Sequence, residues 1–204
     1  MLSSNLFFNA TLVLVNIKRE VSITELKFVP SLQDVKLKGQ IWEILCECDQ
    51  EFIPPLSSRN DPLQCGLSNV DRHTILPYNY FYIMLDQPFI IAIDEGKGRV
   101  AGFMSFIHNY VNEEVGIHGC NYISTLCVRK EYRNQGLARA MYEFLINRLK
   151  GQYESPLIGT RTWSSNYGHI RLIESLGFRL VSQLRDHRGP GIDTVYYLYS
   201  KTSL

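Results

Sequence analysis

The alternation of apolar and polar positions predicts a buried strand followed by a long amphipathic helix in the middle of the chain. Residues 122–128 are mostly aromatic, β-branched or otherwise apolar and include no glycine or proline, as in a buried strand. The apolar stripe of the helix has the spacing of one helical face and consists of Leu137, Met141, Phe144, Leu145 and Leu149. We expect the helix to end at Lys150, because Gly151 suits the left-handed position just beyond a helix.

Upstream of this unit the pattern predicts a helix and a β-hairpin. Residues 31–48 form the helix, and Ser31 with Asp34 gives it a start that resembles a capping box. Residues 88–93 and 100–109 are predicted strands, joined by a turn that contains glycines. A sheet with at least one helix before its central strand follows from these elements.

The connections and the C-terminal third of the chain complete the predicted order. Asp61 and Pro62 suit the first positions of a second, shorter helix. Residues 111–119 are predicted to be a polar connection into the central strand. The elements expected after the long helix are a strand over 157–163, a helix from 166, and a closing antiparallel pair over 178–184 and 194–200.

Two apolar segments admit two interpretations each. Residues 78–85 are densely aromatic; a core segment is favoured over a stacking surface, because basic residues are absent. Residues 6–17 are too short to span a bilayer, so they are interpreted as a strand that packs on the domain, with a partner surface less favoured. We therefore predict an N-terminal extension or extra strand over residues 1–20 and a single domain over 21–204.

Composition and charge narrow the class of protein. The chain has 204 residues, of which 45% are hydrophobic and 20% charged, as in a soluble globular protein. A formal net charge of +1 gives no electrostatic reason to expect nucleic acid or an anionic membrane as partner. The five cysteines show no spacing typical of disulfides or a metal site. We predict reduced thiols, no metal, and a cytoplasmic location.

The turn between the predicted central strand and the long helix has the features of a phosphate-binding site. Gly136 allows the backbone to approach a ligand closely, and Ala138 keeps the first helical turn narrow. The unpaired N–H groups at a helix start carry a partial positive charge, to which Arg133 adds a full charge. This turn therefore predicts the binding of a phosphate group.

The same turn resembles motif A of the GNAT superfamily of N-acetyltransferases. That motif reads Arg or Gln, two residues, Gly, one residue, then Gly or Ala, and Arg133, Gly136 and Ala138 fill it here. A second block, NYGHIRLIESLGF over residues 166–178, is similar to the family's asparagine, helix and Leu-Gly-Phe ending. The resemblance covers about residues 88–201. It favours a GNAT protein over an unrelated nucleotide-binding unit, because the chain has no G-x-G-x-x-G or P-loop pattern.

The resemblance implies a fold and a cofactor. The fold is α/β, a mixed, mostly antiparallel sheet of about six to seven strands flanked by helices on both sides. Acetyl-CoA would lie in a gap between the central strand and the next one, with its pyrophosphate on the turn and its pantetheine arm along the strand. The implied cofactor-binding residues are Leu126, Cys127, Val128, Arg133, Asn134, Gln135, Gly136, Leu137, Ala138 and Asn166.

The chain departs from the family where a general acid and base are expected. Ile173 stands where the family often has a tyrosine, and Ser124 stands near the place of a glutamate. His169, one helical turn before Ile173, is the best single substitute, since its ordinary pKa suits proton transfer. Further candidates, besides Ser124 itself, are Tyr167, Tyr122, Glu113 and Glu114. Catalysis by proximity alone, and a site without catalysis, stay open as alternatives.

The function implied by the resemblance is transfer of an acetyl group from acetyl-CoA to a primary amine by direct attack. The acceptor, a small molecule or a peptide, is not defined by the residues, although Pro54, Pro55 and Arg59 are expected to shape its site. The alternative is a non-catalytic CoA-binding or protein-interaction domain. Whether the protein forms a homodimer stays open.

Overall fold

One sheet of seven strands organises the computed structural model, which describes residues 24–64, 66–67 and 76–201. Its strands are β1 (Thr24–Val29), β2 (Phe89–Asp94), β3 (Arg99–Asn112), β4 (Ile117–Val128), β5 (Leu157–Trp163), β6 (Arg179–Leu184) and β7 (Thr194–Ser200). Their spatial order is β1-β2-β3-β4-β5-β7-β6. Neighbouring strands are antiparallel except β4 and β5, which run parallel.

Helices cover both faces of this sheet. Within the described residues they are α1 (Val35–Cys48), α2 (Tyr78–Met84), α3 (Leu137–Asn147) and α4 (Tyr167–Ser175). Successive residues of β2 point to opposite faces, so Ile90 packs with α3 and Phe89 packs with α1 and α2. The predicted mixed, mostly antiparallel sheet with helices on both sides is confirmed. None of the described helices has the length and apolar character needed to cross a membrane.

Several predicted elements have the expected bounds because their local signals are strong. β5 and β7 coincide with the predicted strands over 157–163 and 194–200. Asn166 is the N-cap of α4, and its side chain accepts a hydrogen bond from the amide of His169. Beyond the last turn of α4, Gly177 takes a left-handed φ of 93°, as expected of a glycine after a helix end.

Two predicted helix ends are wrong. α1 begins at Val35 rather than Ser31, because the Asp34 carboxylate accepts from the amide of Leu37 and so acts as the N-cap. α3 ends at Asn147 rather than Lys150. Leu149, only 3% exposed, packs into the core from a non-helical position, so the end of the helix is set by tertiary packing rather than by Gly151.

Two predicted connections are also wrong. No helix starts at Asp61 within the described residues, because its side chain accepts from the amide of Leu63 and holds residues 61–63 in a turn. The predicted polar connection over 111–119 is mostly strand. β3 and β4 extend through it and leave only the short turn Glu113–Val115, followed by Gly116, between them. Ile117 and Cys120 are buried in a hydrophobic cluster with Tyr122 and Tyr196, and this packing stabilises the extended β4.

The aromatic segment over 78–85 is a helix that lies half in the core. Tyr80, Phe81 and Met84 of α2 are buried, which confirms the core interpretation for that face, whereas Tyr78 and Tyr82 are exposed. The predicted N-terminal extension or extra strand over residues 1–20 lies outside the described residues. The first described strand, β1, pairs with β2.

Candidate active site

A gap opens in the sheet where β4 and β5 separate. The two strands pair at three positions, the last of which joins Ile123 to Thr160. Beyond it, β4 continues to Val128 along β3, and β5 continues to Trp163 along β7. A cavity of about 670 Å³, lined by residues from both strands, occupies the gap.

A bulge in β4 marks the point where the strands separate. The register between β3 and β4 shifts so that Thr125 pairs with Ser105 and Ile123 pairs with Phe106, which leaves Ser124 as the extra residue. A bulge bends its strand and increases the local twist. After the bulge, one edge of β4 follows β3 and the other edge lines the cavity.

The start of α3 closes one end of the cavity. Gly136 precedes the helix with a left-handed φ of 82°, and no side chain of the described residues caps this end. The first backbone hydrogen bond of the helix runs from the Ala140 amide to the Gly136 carbonyl at 2.9 Å. The amides of Leu137 and Ala138, which come before it, have no acceptor within the helix. A Cβ atom added to Gly136 would meet no atom within 4 Å, so the space above this turn is open.

Most of the predicted cofactor-binding residues line this cavity. They are Leu126, Cys127, Val128, Arg133, Asn134, Gly136, Leu137, Ala138 and Asn166. Gln135 does not line it, and its side-chain amide donates to the Glu131 carbonyl at 2.9 Å. The Asn166 side chain is engaged within the fold, because its amide also donates to the Thr162 hydroxyl at 3.0 Å.

Arg133 is held by three contacts that the sequence did not indicate. Its Nε donates to the Val128 carbonyl at 2.9 Å, and its Nη1 forms an ion pair with Glu51 at 2.9 Å. Its Nη2 lies 3.4 Å from the Cys48 sulfur. The charge of Arg133 is therefore partly neutralised, and this side chain fastens the turn to the end of α1.

The predicted catalytic residues occupy three different environments. His169 lines the cavity, and its Nε2 lies 2.8 Å from the hydroxyl of Tyr142, a fully buried residue of α3. Ser124 also lines the cavity, but its hydroxyl donates to Gln87, whose side chain is buried. Tyr167 is 66% exposed and does not line the cavity. Ile173 lies in the core.

Burial makes the pair of His169 and Tyr142 neutral. It lowers the pKa of His169 from 6.5 to about 4, and it raises the pKa of Tyr142 above its ordinary value. His169 therefore holds no extra proton at neutral pH, and the phenol of Tyr142 keeps its proton. Sequence reasoning missed Tyr142, because its position on α3 carries no motif.

The remaining candidates lie away from the cavity lining. Glu113 and Glu114 are exposed in the turn between β3 and β4. Tyr122 is buried on the face of α1 and α2, and its ring stacks on Tyr110 with centroids 4.2 Å apart. None of the three lines the cavity. Within the described residues, no three His, Cys, Asp or Glu side chains lie together in a way that would hold a metal ion.

The other end of the cavity is aromatic and basic. Phe52, Arg161 and Trp163 line it, and the two rings lie 5.8 Å apart. Arg59, expected from the sequence to shape the acceptor site, is buried and donates to the carbonyl of Pro54. Arg161 was missed, although a charged residue in an otherwise apolar and small-residue strand is a signal that sequence reasoning could have used.

A parted sheet, an uncapped helix start and a cavity between them characterise this α/β protein, and comparisons identify its family. The model of the Acetyltransferase (GNAT) family matches residues 44–178, more than half of the chain. The chain belongs to this family. The prediction of an N-acetyltransferase with acetyl-CoA as cosubstrate is thereby confirmed.

Individual relatives are distant in sequence but share the fold. The chain is 25% identical over 122 residues to an N-alpha-acetyltransferase of Saccharolobus solfataricus, which covers 57% of this chain and 73% of the relative. It is similar to NAA60 of Arabidopsis thaliana, solved with a bisubstrate analogue, with a TM-score of 0.58, 18% identity, and coverage of 86% and 97%. It is also similar to yncA of Salmonella typhimurium, solved with acetyl-CoA, with a TM-score of 0.54, 18% identity, and coverage of 88% and 95%.

Proposed function

We propose that this acetyltransferase transfers the acetyl group to a primary amine of a small molecule or a peptide by direct attack. The observation that carries the proposal is the gap between β4 and β5, which joins the uncapped start of α3 to an end lined by aromatic side chains and Arg161. A cofactor end and an acceptor end thus meet in one cavity of about 670 Å³.

The residues of the cofactor end suit an extended ligand with a phosphate group. The amides of Asn134 to Ala138 would bind the pyrophosphate, because helix-start amides attract anions and the φ of Gly136 leaves the turn open. The free edge of β4 at Leu126 to Val128 would bind the pantetheine arm as an additional strand. Bound acetyl-CoA supplies an acetyl group activated as a thioester.

The reaction needs a neutral amine and a proton for the leaving sulfur. The amine nitrogen forms a bond to the carbonyl carbon, the carbon–sulfur bond breaks, and the sulfur takes a proton as the amine loses one. Tyr142 is the proposed donor to the sulfur, and neutral His169, in contact with its hydroxyl, is the proposed positioning residue. Proximity within the cavity supplies much of the rate, with effective molarities on the order of 10⁵ M or more.

The acceptor class and the cellular setting belong to the same proposal. A peptide N-terminus receives some support from the N-alpha-acetyltransferase relative. A cytoplasmic location is supported by the free thiols among the described cysteines, such as Cys48 and Cys127. We also propose that residues 21–204 form a single domain and that residues 1–20 are an N-terminal extension or extra strand.

Calorimetry with acetyl-CoA and a thiol-release assay test this function together. We expect saturable binding of acetyl-CoA, and release of free CoA thiol that depends on an added amine. Acetyl-blocked versions of the same amines are the control, since they cannot attack. Binding without release for every amine tested would favour the non-catalytic CoA-binding alternative, and absence of binding would overturn the proposal.

A further inference from the structure

Three arginines from separate segments surround the aromatic pair at the acceptor end of the cavity. Arg59 follows α1, Arg161 lies in β5, and Arg188 lies between β6 and β7. The Arg59 guanidinium lies 5.5 Å from the ring centroid of Phe52, and that of Arg188 lies 5.9 Å from a ring centroid of Trp163. Arg161 lines the cavity beside both rings.

None of these arginines has a carboxylate partner among the described residues, although two of them are buried and Arg161 is half-buried. Arg59 and Arg188 are each 6% exposed. Within the described ranges, no carboxylate lies within ion-pair distance of any of the three. Arg129, which is 4% exposed, is paired as buried arginines usually are: Glu43 lies 2.6 Å and Glu47 lies 3.7 Å from its guanidinium. A buried cation normally needs such a partner.

Neutral acceptors hold the three guanidinium groups in place. Arg59 donates to the Pro54 carbonyl, and Arg188 donates to the Ile53 carbonyl and the Thr194 hydroxyl. Arg161 donates to the carbonyls of Pro62 and Gln64 and to the Tyr196 hydroxyl. These bonds fix the orientation of each group but leave its charge in place.

Some hydrogen-bonding groups of the cluster remain open. Within the described part of the chain, Arg161 Nε, Arg59 Nη1 and Arg188 Nη2 have no acceptor. The buried hydroxyl of Tyr122 has no partner there either. Tyr122 pairs with Gly159 of β5, which lies two positions before Arg161. The side chains of Tyr122 and Arg161 therefore lie on the same face of the sheet.

The nearby acids offset only part of this charge, through the attraction between Asp49 and Arg59. Asp49 is buried, and its oxygens accept from the Ser57 amide and the Gln50 side chain. Glu51, which lines the cavity, is ion-paired with Arg133. The pKa of Arg188 is lowered to about 9, mainly by burial and then by the positive charges of Arg59 and Arg161. The acceptor end therefore has an excess of positive charge that faces the cavity through Arg161.

We propose that the acceptor amine also carries an anionic group, a carboxylate or a phosphate, which binds to Arg161 at this end of the cavity. This inference rests on the proposed function and names its acceptor class. Arg59 and Arg188 add positive charge from behind Phe52 and Trp163. A guanidinium group matches the geometry of both anions. The anion completes the cluster in the way that Glu43 and Glu47 complete the site of Arg129.

Thermal unfolding of the protein saturated with CoA tests the anion site without knowledge of the acceptor. Saturation with CoA blocks the pyrophosphate site, and inorganic phosphate is compared with sodium chloride at equal ionic strength. We expect phosphate to raise the Tm of the wild type by several degrees through binding linkage. Arg161→Gln should abolish this rise, and Arg161→Lys, which keeps the charge, should retain part of it. Arg179→Gln, an exposed arginine of β6, is the control with the same loss of charge.

Matched acceptors provide the second measurement. Thiol release is compared for amino acids against their carboxamides, and for phosphoethanolamine against ethanolamine. We expect kcat/KM to favour the anionic member of at least one pair by about tenfold or more, and Arg161→Gln to remove the preference. An equal phosphate shift in wild type and Arg161→Gln, no shift in wild type, or a preference for the neutral members would each overturn the proposal. Failure to bind acetyl-CoA in calorimetry would instead overturn the proposed function.

Discussion

The two ends of the cavity are built by different means. The cofactor end consists mainly of backbone groups, namely the turn before α3 and the free edge of β4, which are contiguous or nearly so in sequence. The acceptor end consists of the side chains of Phe52, Arg161 and Trp163, with Arg59 and Arg188 against the two rings, and these residues come from distant segments. A backbone site can serve any chain that has this turn, whereas a side-chain site is particular to its substrate. We therefore expect the backbone end to be general to this kind of fold and the side-chain end to depend on the substrate.

The largest expected effect is the loss of cofactor binding in Gly136→Val. A β-branched residue is strained at a φ of 82°, and its side chain would fill the open space over the turn. We expect the affinity for acetyl-CoA, measured by calorimetry, to fall by roughly 100-fold or more, which corresponds to at least about 3 kcal/mol of binding free energy.

The matched control is Gly116→Val, in the turn between β3 and β4. Gly116 has a φ of 71° and the same open surroundings, but it lies away from the cavity. This variant should lose comparable stability and retain its affinity for acetyl-CoA. Equal losses of affinity in both variants would show that general destabilisation, rather than a backbone site, explains the result.

A smaller effect is expected for Tyr142→Phe, which tests the chemistry where the two ends meet. The substitution removes the hydroxyl that contacts His169 and leaves a ring of similar volume in the core. We expect kcat for thiol release to fall by roughly 10–100-fold, as for loss of a proton donor, while acetyl-CoA affinity changes little. Unchanged kcat with the best available amine would eliminate Tyr142 as the donor and favour proximity and solvent.

The smallest expected effect concerns the neutral state of His169, which contacts Tyr142 where the two ends meet. Because burial lowers the pKa of His169 from 6.5 to about 4, its neutral ring contributes stability that is complete above about pH 6.5. That stability is lost as pH falls toward 4, and the loss is about 1 kcal/mol by pH 5.5. Urea unfolding of His169→Gln should therefore show a weaker pH dependence between pH 6.5 and 4.5 than wild type. His118→Gln, at an exposed position of β4, should keep the wild-type slope.

The contrast between the two ends also explains what could be predicted from the sequence. The turn from Arg133 to Ala138 was found because its glycine, its position before a periodic helix and its backbone chemistry are local signals. β5 was predicted with correct bounds, and α4 with its N-cap and the glycine after its end, for the same reason. The end of α3 was missed, since Leu149 packs into the core outside the helix, and this depends on tertiary contacts.

The parts of the site that depend on tertiary packing were not predictable in the same way. Arg161 and Arg188 meet Arg59 only after β5, β7 and the segment after α1 are assembled. The contact between Tyr142 and His169 joins α3 to α4 across 27 positions of sequence, and neither residue belongs to a motif that names its partner. Burial then moves the pKa of His169 away from the value that made it attractive as a general acid.

Hydrogen–deuterium exchange with and without acetyl-CoA tests most directly whether the cofactor binds between β4 and β5. We expect slower exchange in peptides that cover residues 124–128 and 134–139, because their free amides acquire acceptors on the ligand. A peptide from β6, at the far edge of the sheet, should be unchanged. If acetyl-CoA binds by calorimetry but leaves exchange in both segments unaltered, the cofactor does not bind between β4 and β5.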